Sequence, residues 1–258
     1  MTHPLSPPHS TALTEAEQAA FLQSIARVRS AAVRALRAAQ ANAKQGVAAN
    51  DTGAITAAKA TEAAAQAAVH FVAQLHQGLD TVAEQARATG PQPACQAGCA
   101  HCCYLRVEAT EPEVLRIAQH LRTLPAADQA NALQRLQQHV ATAIAAAPSP
   151  TRQPCSFLAS DRCAIYSVRP AACRKAHSLS ATHCAEQSPT IPQNLRLLVD
   201  AEALMAGTAL AYRDQPLPAG AHELNAAVLA ALDNTQVDQP SALLRWYHGD
   251  AALKVRTP

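Results

Sequence analysis

Eight cysteines fall between Cys95 and Cys184, with none in the 94 residues before them or the 74 after. The first group, CQAGCAHCC at 95–103, is spaced C-x3-C-x2-C-C. The second is CSFLASDRCAIYSVRPAACR at 155–174, with Cys184 following. Short spacings of this kind place two sulfurs on one tight turn, close enough to share a metal, and a second group arriving after a helical excursion completes the set. A thiolate-rich site selects zinc, copper(I) or an iron–sulfur cluster over magnesium or calcium. All eight cysteines, Cys95, Cys99, Cys102, Cys103, Cys155, Cys163, Cys173 and Cys184, are therefore candidate metal ligands.

The adjacent pair Cys102 and Cys103 carries further information. Neighbouring side chains usually point apart, so the pair fits best with each sulfur on a different metal, or with one as ligand and the other packing or reacting. Two four-thiolate zinc sites would use all eight sulfurs and leave a strongly negative centre. A four-iron cluster on four thiolates carries about half that excess. Arg106, Arg162, Arg169, Arg174 and Lys175 lie near enough in sequence to balance either, and the spacing does not choose between zinc and an iron–sulfur cluster.

Between Cys163 and Cys173, Pro170 fixes its own φ and keeps Arg169 extended beside the cysteines. Arg169 and Arg174, with Tyr166, are candidates for the shell behind the sulfurs. They would donate hydrogen bonds to thiolates, bind an anion, or simply neutralise the charge. His101, His177 and His183 are alternative ligands, but a histidine in such a loop more often faces solvent when the cysteines already suffice.

These residues resemble the YkgJ-type cysteine-cluster family, the CxxCxxCC zinc- or iron-chelating domain. That family's second half reads C-x-F-L, then C-x-I-Y-x-x-R-P-x-x-C-R, and every lettered position is present here. The resemblance covers about residues 95–177. The first spacing is three residues where the family name implies two, and Cys184 lies outside the shared pattern. The resemblance implies metal binding without a settled activity. A related flagellin lysine N-methylase shows that such a core can also sit inside an enzyme.

The rest of the chain must position these cysteines. Its 258 residues are 49 % apolar and 16 % charged, which is the composition of a folded protein with a core. Alanine dominates the apolar fraction, aromatics are 3 % and glycines number only 8, so a mainly helical fold is expected. A net charge of +2 excludes a protein whose main business is coating nucleic acid or an anionic membrane. No stretch approaches the ~18 apolar residues of a membrane span. The start, MTHPLSPPHS, lacks the plan of a secretory signal, so the thiols are read in a reducing cytoplasm, where metal binding outweighs disulfides.

Three segments are expected: a helical hairpin over 1–89, a cysteine-cluster domain over 90–190 and C-terminal helices over 191–258 packing on the core. Thr14 and Glu17 form a capping box before a helix to about Lys44. Along it, Phe21, Leu22, Ile25, Val28, Ala32, Val33 and Leu36 make one apolar stripe. A turn near Gly46–Gly53 leads to a second helix over about 54–88, in which His70, Phe71, Leu75 and His76 read as core and boundary positions. GPQP at 90–93 ends that helix. Thr110 with Glu113 is a second capping box, with Pro112 in the first turn, and opens a helix to about Leu124. Another helix and the PSPTRQP loop at 148–154 follow. Helices resume at about 193–213, 219–232 and 239–247, with Trp246 and Tyr247 anchoring the last. The face carrying Arg27, Arg34, Arg37 and Lys44 reads as a solvated one.

No P-loop, dinucleotide-binding glycine motif, H-E-x-x-H or G-x-S-x-G is present. The leading expectation is a cytoplasmic metal-binding protein, with zinc or an iron–sulfur cluster held by the two cysteine groups and helical flanks available to a protein partner. The alternatives are an iron–sulfur enzyme of redox or group transfer, such as methyl transfer, and a metal chaperone or sensor.

Overall fold

Thr14 opens the first helix as its spacing to Glu17 predicts. The Glu17 carboxylate accepts from the Thr14 amide and hydroxyl, each at 2.8 Å, and the Glu17 amide donates back to Thr14 Oγ1 at 3.3 Å. In the computed structural model, which describes residues 14–48, 55–146, 152–233, 241–250 and Leu253, helix α1 runs Glu15–Ala48, past the expected end at Lys44. Ala32 and Leu36 of its stripe are buried, whereas Leu22 is exposed. The segment MTHPLSPPHS, residues 49–54 of the expected turn and the start of the loop at 148–154 lie outside the described residues.

The second helix is two helices. Helix α2 (Ile55–His70) and helix α3 (Val72–Thr89) meet at Phe71. There the Gln74 amide donates to the Phe71 carbonyl at 2.9 Å, an i to i+3 bond that tightens the turn. The cause is packing: Phe71 is buried and meets Tyr212 edge-on, ring centroids 6.0 Å apart.

Strand β1 (Glu108–Thr110) leads straight into helix α4 (Glu111–Arg122), whose N-terminus carries the expected Thr110–Glu113 capping box with Pro112 in the first turn. Helix α5 (Ala126–Ala145) follows. Strands β2 (Leu158–Ala159) and β3 (Arg162–Cys163) form a hairpin that pairs Leu158 with Cys163. Its two turn residues, Ser160 and Asp161, have φ of +47° and +57°, the twist a two-residue hairpin requires. Two short helices, α6 (Ala171–Lys175) and α7 (Ala181–Ala185), each carry one cysteine.

The C-terminal part comprises α8 (Leu195–Arg213), strand β4 (Ala221–Glu223), α9 (Leu224–Leu232) and α10 (Ala242–Tyr247). The helix expected over 219–232 thus begins as a strand. Residues 221–223 pair antiparallel with β1, in the register Glu108 to Glu223 and Thr110 to Ala221. Sheet bonds to β1 outcompete local helix propensity at this point, which sequence periodicity alone does not reveal.

Helix α1 lies along α8 and α2. One core gathers Val114, Ile117, Leu121, Phe157, Ile165 and Val228, with Cys155 and Cys163 packed at its edge. A second holds Leu36, Val69, Leu115, Tyr212 and Trp246, and a third holds Val72, Leu79, Ala171 and Leu197. Residues from both sides of the cysteine segment enter the second and third cores, and residues after it enter the first. Trp246 anchors the last helix: it is wholly buried and its indole N–H donates to the Pro218 carbonyl at 2.7 Å. Among the described residues no helix is long and apolar enough to cross a membrane.

Candidate metal centre

Backbone hydrogen bonds fold the cysteine segment onto itself. The Ala94 amide donates to the Ser178 carbonyl at 2.8 Å, and the Cys95 thiol lies 3.9 Å from the same oxygen. That pair of contacts draws the start of the first cysteine group to the stretch leading into Cys184. Gly98, at φ +88°, makes the turn in which the Cys99 amide reaches the Gln96 carbonyl at 3.0 Å. A side chain there would be strained in the left-handed conformation that glycine adopts freely. A 3-10 turn over His101–Tyr104 then carries Cys102 and Cys103, and α7, with Cys184, packs against it.

The second cysteine group is fastened to the first by the Cys155 amide, which donates to the Cys103 carbonyl at 2.8 Å. The Leu158 amide in turn reaches the Cys155 carbonyl at 2.9 Å, and Leu158 faces Cys163 across the hairpin. Cys173 arrives on α6 immediately after Pro170, its amide donating to the Pro170 carbonyl at 3.0 Å.

All eight cysteines are free thiols, Cys95 and Cys102 exposed and the others partly buried. Burial pushes the Cys155 thiol up to about 11 and the Cys173 thiol up to about 12; Cys163 is shifted up for the same reason. Each of these three also feels the charge of neighbouring cysteines, with Cys163 and Cys102 both acting on Cys155 and Cys173. Cys95, raised chiefly by burial, has Cys99, Cys102 and Cys184 as its charged neighbours.

Cys102 and Cys103 lie side by side on the 3-10 turn. Interaction with the Cys103 thiol lowers Cys102 to about 6 against the effect of burial, and Arg169 adds to the lowering. The same interaction pushes Cys103 up.

Arg169 stacks on Tyr166, its guanidinium carbon 3.8 Å from the ring centroid, and its charge acts on Cys102, Cys163 and Cys173. Its Nε is buried with no hydrogen-bond partner among the described residues. A donor left unpaired beside free sulfurs is what a thiolate-bound metal would satisfy, because metal-bound thiolates accept N–H bonds. On donor chemistry the residues fit a thiophilic metal. As they stand, no three His, Cys, Asp or Glu side chains among the described residues are arranged to hold an ion. Metal binding there would require the sulfurs to move together, which would couple it to folding of the segment.

Arg174 is engaged elsewhere than the sulfurs. It contacts both oxygens of Asp80 on α3, at 3.0 and 2.8 Å, and donates to the carbonyls of Arg169 at 3.1 Å and Ser167 at 2.7 Å. It thereby staples the loop before Cys173 to α3. His177 uses both ring nitrogens on backbone groups, Nδ1 with the Lys175 carbonyl and Nε2 with the Asn194 amide. His101 and His183 are exposed, and His183 Nδ1 lies 2.8 Å from Ser180 Oγ.

Two further supports carried no signal in the sequence. Glu113, whose capping role was legible, also accepts from the Ala171 amide at 2.6 Å and so fixes the first turn of the helix bearing Cys173. Asn225, buried at the start of α9, has its side-chain carbonyl 3.7 Å from the Cys155 sulfur and accepts from the Ser156 amide and hydroxyl. Its amide group donates to Glu223 at 2.7 Å.

Residues 94–192, less than half of the chain, match the family described as "CxxCxxCC: Putative zinc- or iron-chelating domain". The match extends beyond the stretch 95–177 that carries the resemblance in sequence, and it includes the position of Cys184. No curated protein and no solved structure matches the chain. The family match supports metal binding by this segment.

Proposed function

With residues 94–192 matching the CxxCxxCC family, we propose that the protein is a thiolate zinc-binding protein in which bound metal completes the fold around the cysteine segment. The observation that carries this reading is the gathering of eight free cysteines, from one 90-residue stretch, on backbone bonds that join the first group to the second. Zinc in all-thiolate sites supplies folding free energy rather than a reaction.

The chain's own residues do the rest. Arg169 offsets negative charge at the sulfurs, Tyr166 covers the guanidinium, and Arg174 and Glu113 hold the backbone around Cys173. Free thiols throughout agree with a reducing compartment such as the cytoplasm.

Anaerobic purification followed by elemental analysis and a visible spectrum of the same sample tests this reading. Colourless protein containing zinc is expected. Iron with acid-labile sulfide and absorbance near ~400 nm would overturn zinc in favour of a cluster, and metal-free protein that folds normally would overturn metal binding altogether.

A further inference from the structure

Strand β1 has a face that the cysteine segment does not use. Its ladder with β4 continues past Glu108, because the Leu224 amide donates to the Val107 carbonyl at 2.9 Å. Successive side chains on such a backbone alternate between faces. Ala109 lies in the first core and Val107 packs against it. Arg106, Glu108 and Thr110 therefore share the opposite face, where they line a cleft of about 410 Å³. Small-molecule sites span roughly 300–1,000 Å³, so the cleft has room for a ligand of modest size. Ala172 of α6, Met205 of α8 and Ala221 of β4 supply the apolar part of its wall.

The polar groups of the cleft divide into engaged and free ones. Glu113, which also lines it, is engaged: the Thr110 amide and hydroxyl donate to its Oε2 at 2.9 and 2.8 Å, and the Ala171 amide to its Oε1 at 2.6 Å. Arg106 and Glu108 are exposed, and neither side chain has a hydrogen-bond or ion-pair partner among the described residues. They stand two residues apart on one strand face, roughly 7 Å at the backbone, yet do not pair with each other. The cleft thus offers a free guanidinium and a free carboxylate beside an apolar wall. A simple anion would meet Arg106 but be repelled by Glu108, and a simple amine would meet the reverse. A molecule carrying both charges satisfies both groups, its carboxylate on the Arg106 fork and its ammonium on Glu108.

We propose that this cleft binds a small zwitterion with an apolar body, the chemistry of a free amino acid or an unblocked dipeptide. The apolar body lies against Ala172, Met205 and Ala221. None of the lining residues is a cysteine, so the proposal stands apart from the zinc reading above.

The test is isothermal titration calorimetry of the full chain with leucine and with the dipeptide leucyl-leucine, each also in N-acetylated and C-amidated form. At least one unblocked zwitterion is expected to bind, and the tighter of the two tells whether the occupant is a free amino acid or a peptide. Each blocked form lacks one charge and should bind about tenfold more weakly. Arg106→Gln should abolish the preference over the C-amidated form, and Glu108→Gln the preference over the N-acetylated form. Both variants should keep the wild-type circular dichroism spectrum, because both side chains are exposed; should one fail to fold, the other and the blocked ligands still decide the matter. No heat from either zwitterion at millimolar concentration would overturn the proposal, as would blocked forms that bind equally well. Wild-type affinity and preference in both variants would place the zwitterion elsewhere and overturn this site.

Discussion

The side-chain carbonyl of Asn225 lies 3.7 Å from the Cys155 sulfur while accepting from both the amide and the hydroxyl of Ser156. A residue of the C-terminal part, outside the stretch that matches the family, thus holds a candidate ligand in place. Replacing it with alanine leaves the buried Ser156 groups without their acceptor. Asn225→Ala is expected to cost about 2–3 kcal/mol and to weaken zinc retention against a competing chelator. Urea denaturation and chelator titration measure the two effects. Unchanged retention would show that Cys155 does not depend on this support.

Arg174 spans Asp80 and two backbone carbonyls with one planar group. Lysine keeps the charge but cannot reach three separate acceptors. Arg174→Lys should therefore destabilise the protein by about 2 kcal/mol. Asp80→Asn should cost less, about 1 kcal/mol, because Asp80 is half exposed. Thermal denaturation of both variants checks the order, and equal effects would contradict the view that the backbone bonds dominate.

His76 and Glu113 make the fold sensitive to acid. Both side chains are buried and lie 3.4 Å apart. Burial holds His76 below its ordinary range, outweighing Glu113, and Arg174 and Arg116 lower it further. Burial raises the Glu113 carboxyl, but hydrogen bonds from His76, Ala171 and Thr110 prevail and hold it below the usual range. The unfolded chain therefore binds protons more readily at both groups. Stability should fall as pH drops below about 6.5 through the histidine and again below about 4.3 through the carboxyl. His76→Gln removes the first component, so its melting temperature should vary less than wild type between about pH 7 and 5. A parallel pair of curves would rule out His76 as the source.

Gly207 on α8 lies where α1 crosses closest. A Cβ there would stand 2.6 Å from Val28 Cβ and 2.9 Å from the Ile25 carbonyl. Gly207→Ala must push the two helices apart, at an expected cost of about 1–3 kcal/mol. Its zinc content should match wild type, because the contact is made to α1, which carries no cysteine. Loss of zinc in this variant would show that the flanking helices and the cysteine segment are coupled more tightly than their cores indicate.

Local signals in the sequence read true where local forces decide. Thr14 with Glu17 and Thr110 with Glu113 both form their capping boxes, because each needs only residues three apart. The helical character of the chain follows from its alanines in the same way. Long-range contacts were not legible. Phe71 breaks the second helix because Tyr212 waits for it on α8, and residues 221–223 become a strand because β1 offers them a partner. The cysteine groups and their family resemblance were visible from spacing alone. The supports from Asp80, His76 and Asn225 were not, since an aspartate or asparagine inside a helical pattern looks the same whether or not a cysteine loop lies against it.

In the function proposed above, cysteine sulfurs alone hold the zinc. X-ray absorption at the zinc edge tests it most directly, using the full chain purified without oxygen. A first shell of four sulfurs at about 2.3 Å with no lighter scatterer is expected. Nitrogen or oxygen ligands at about 2.0–2.1 Å, contributed by His101, His183 or water, would contradict it.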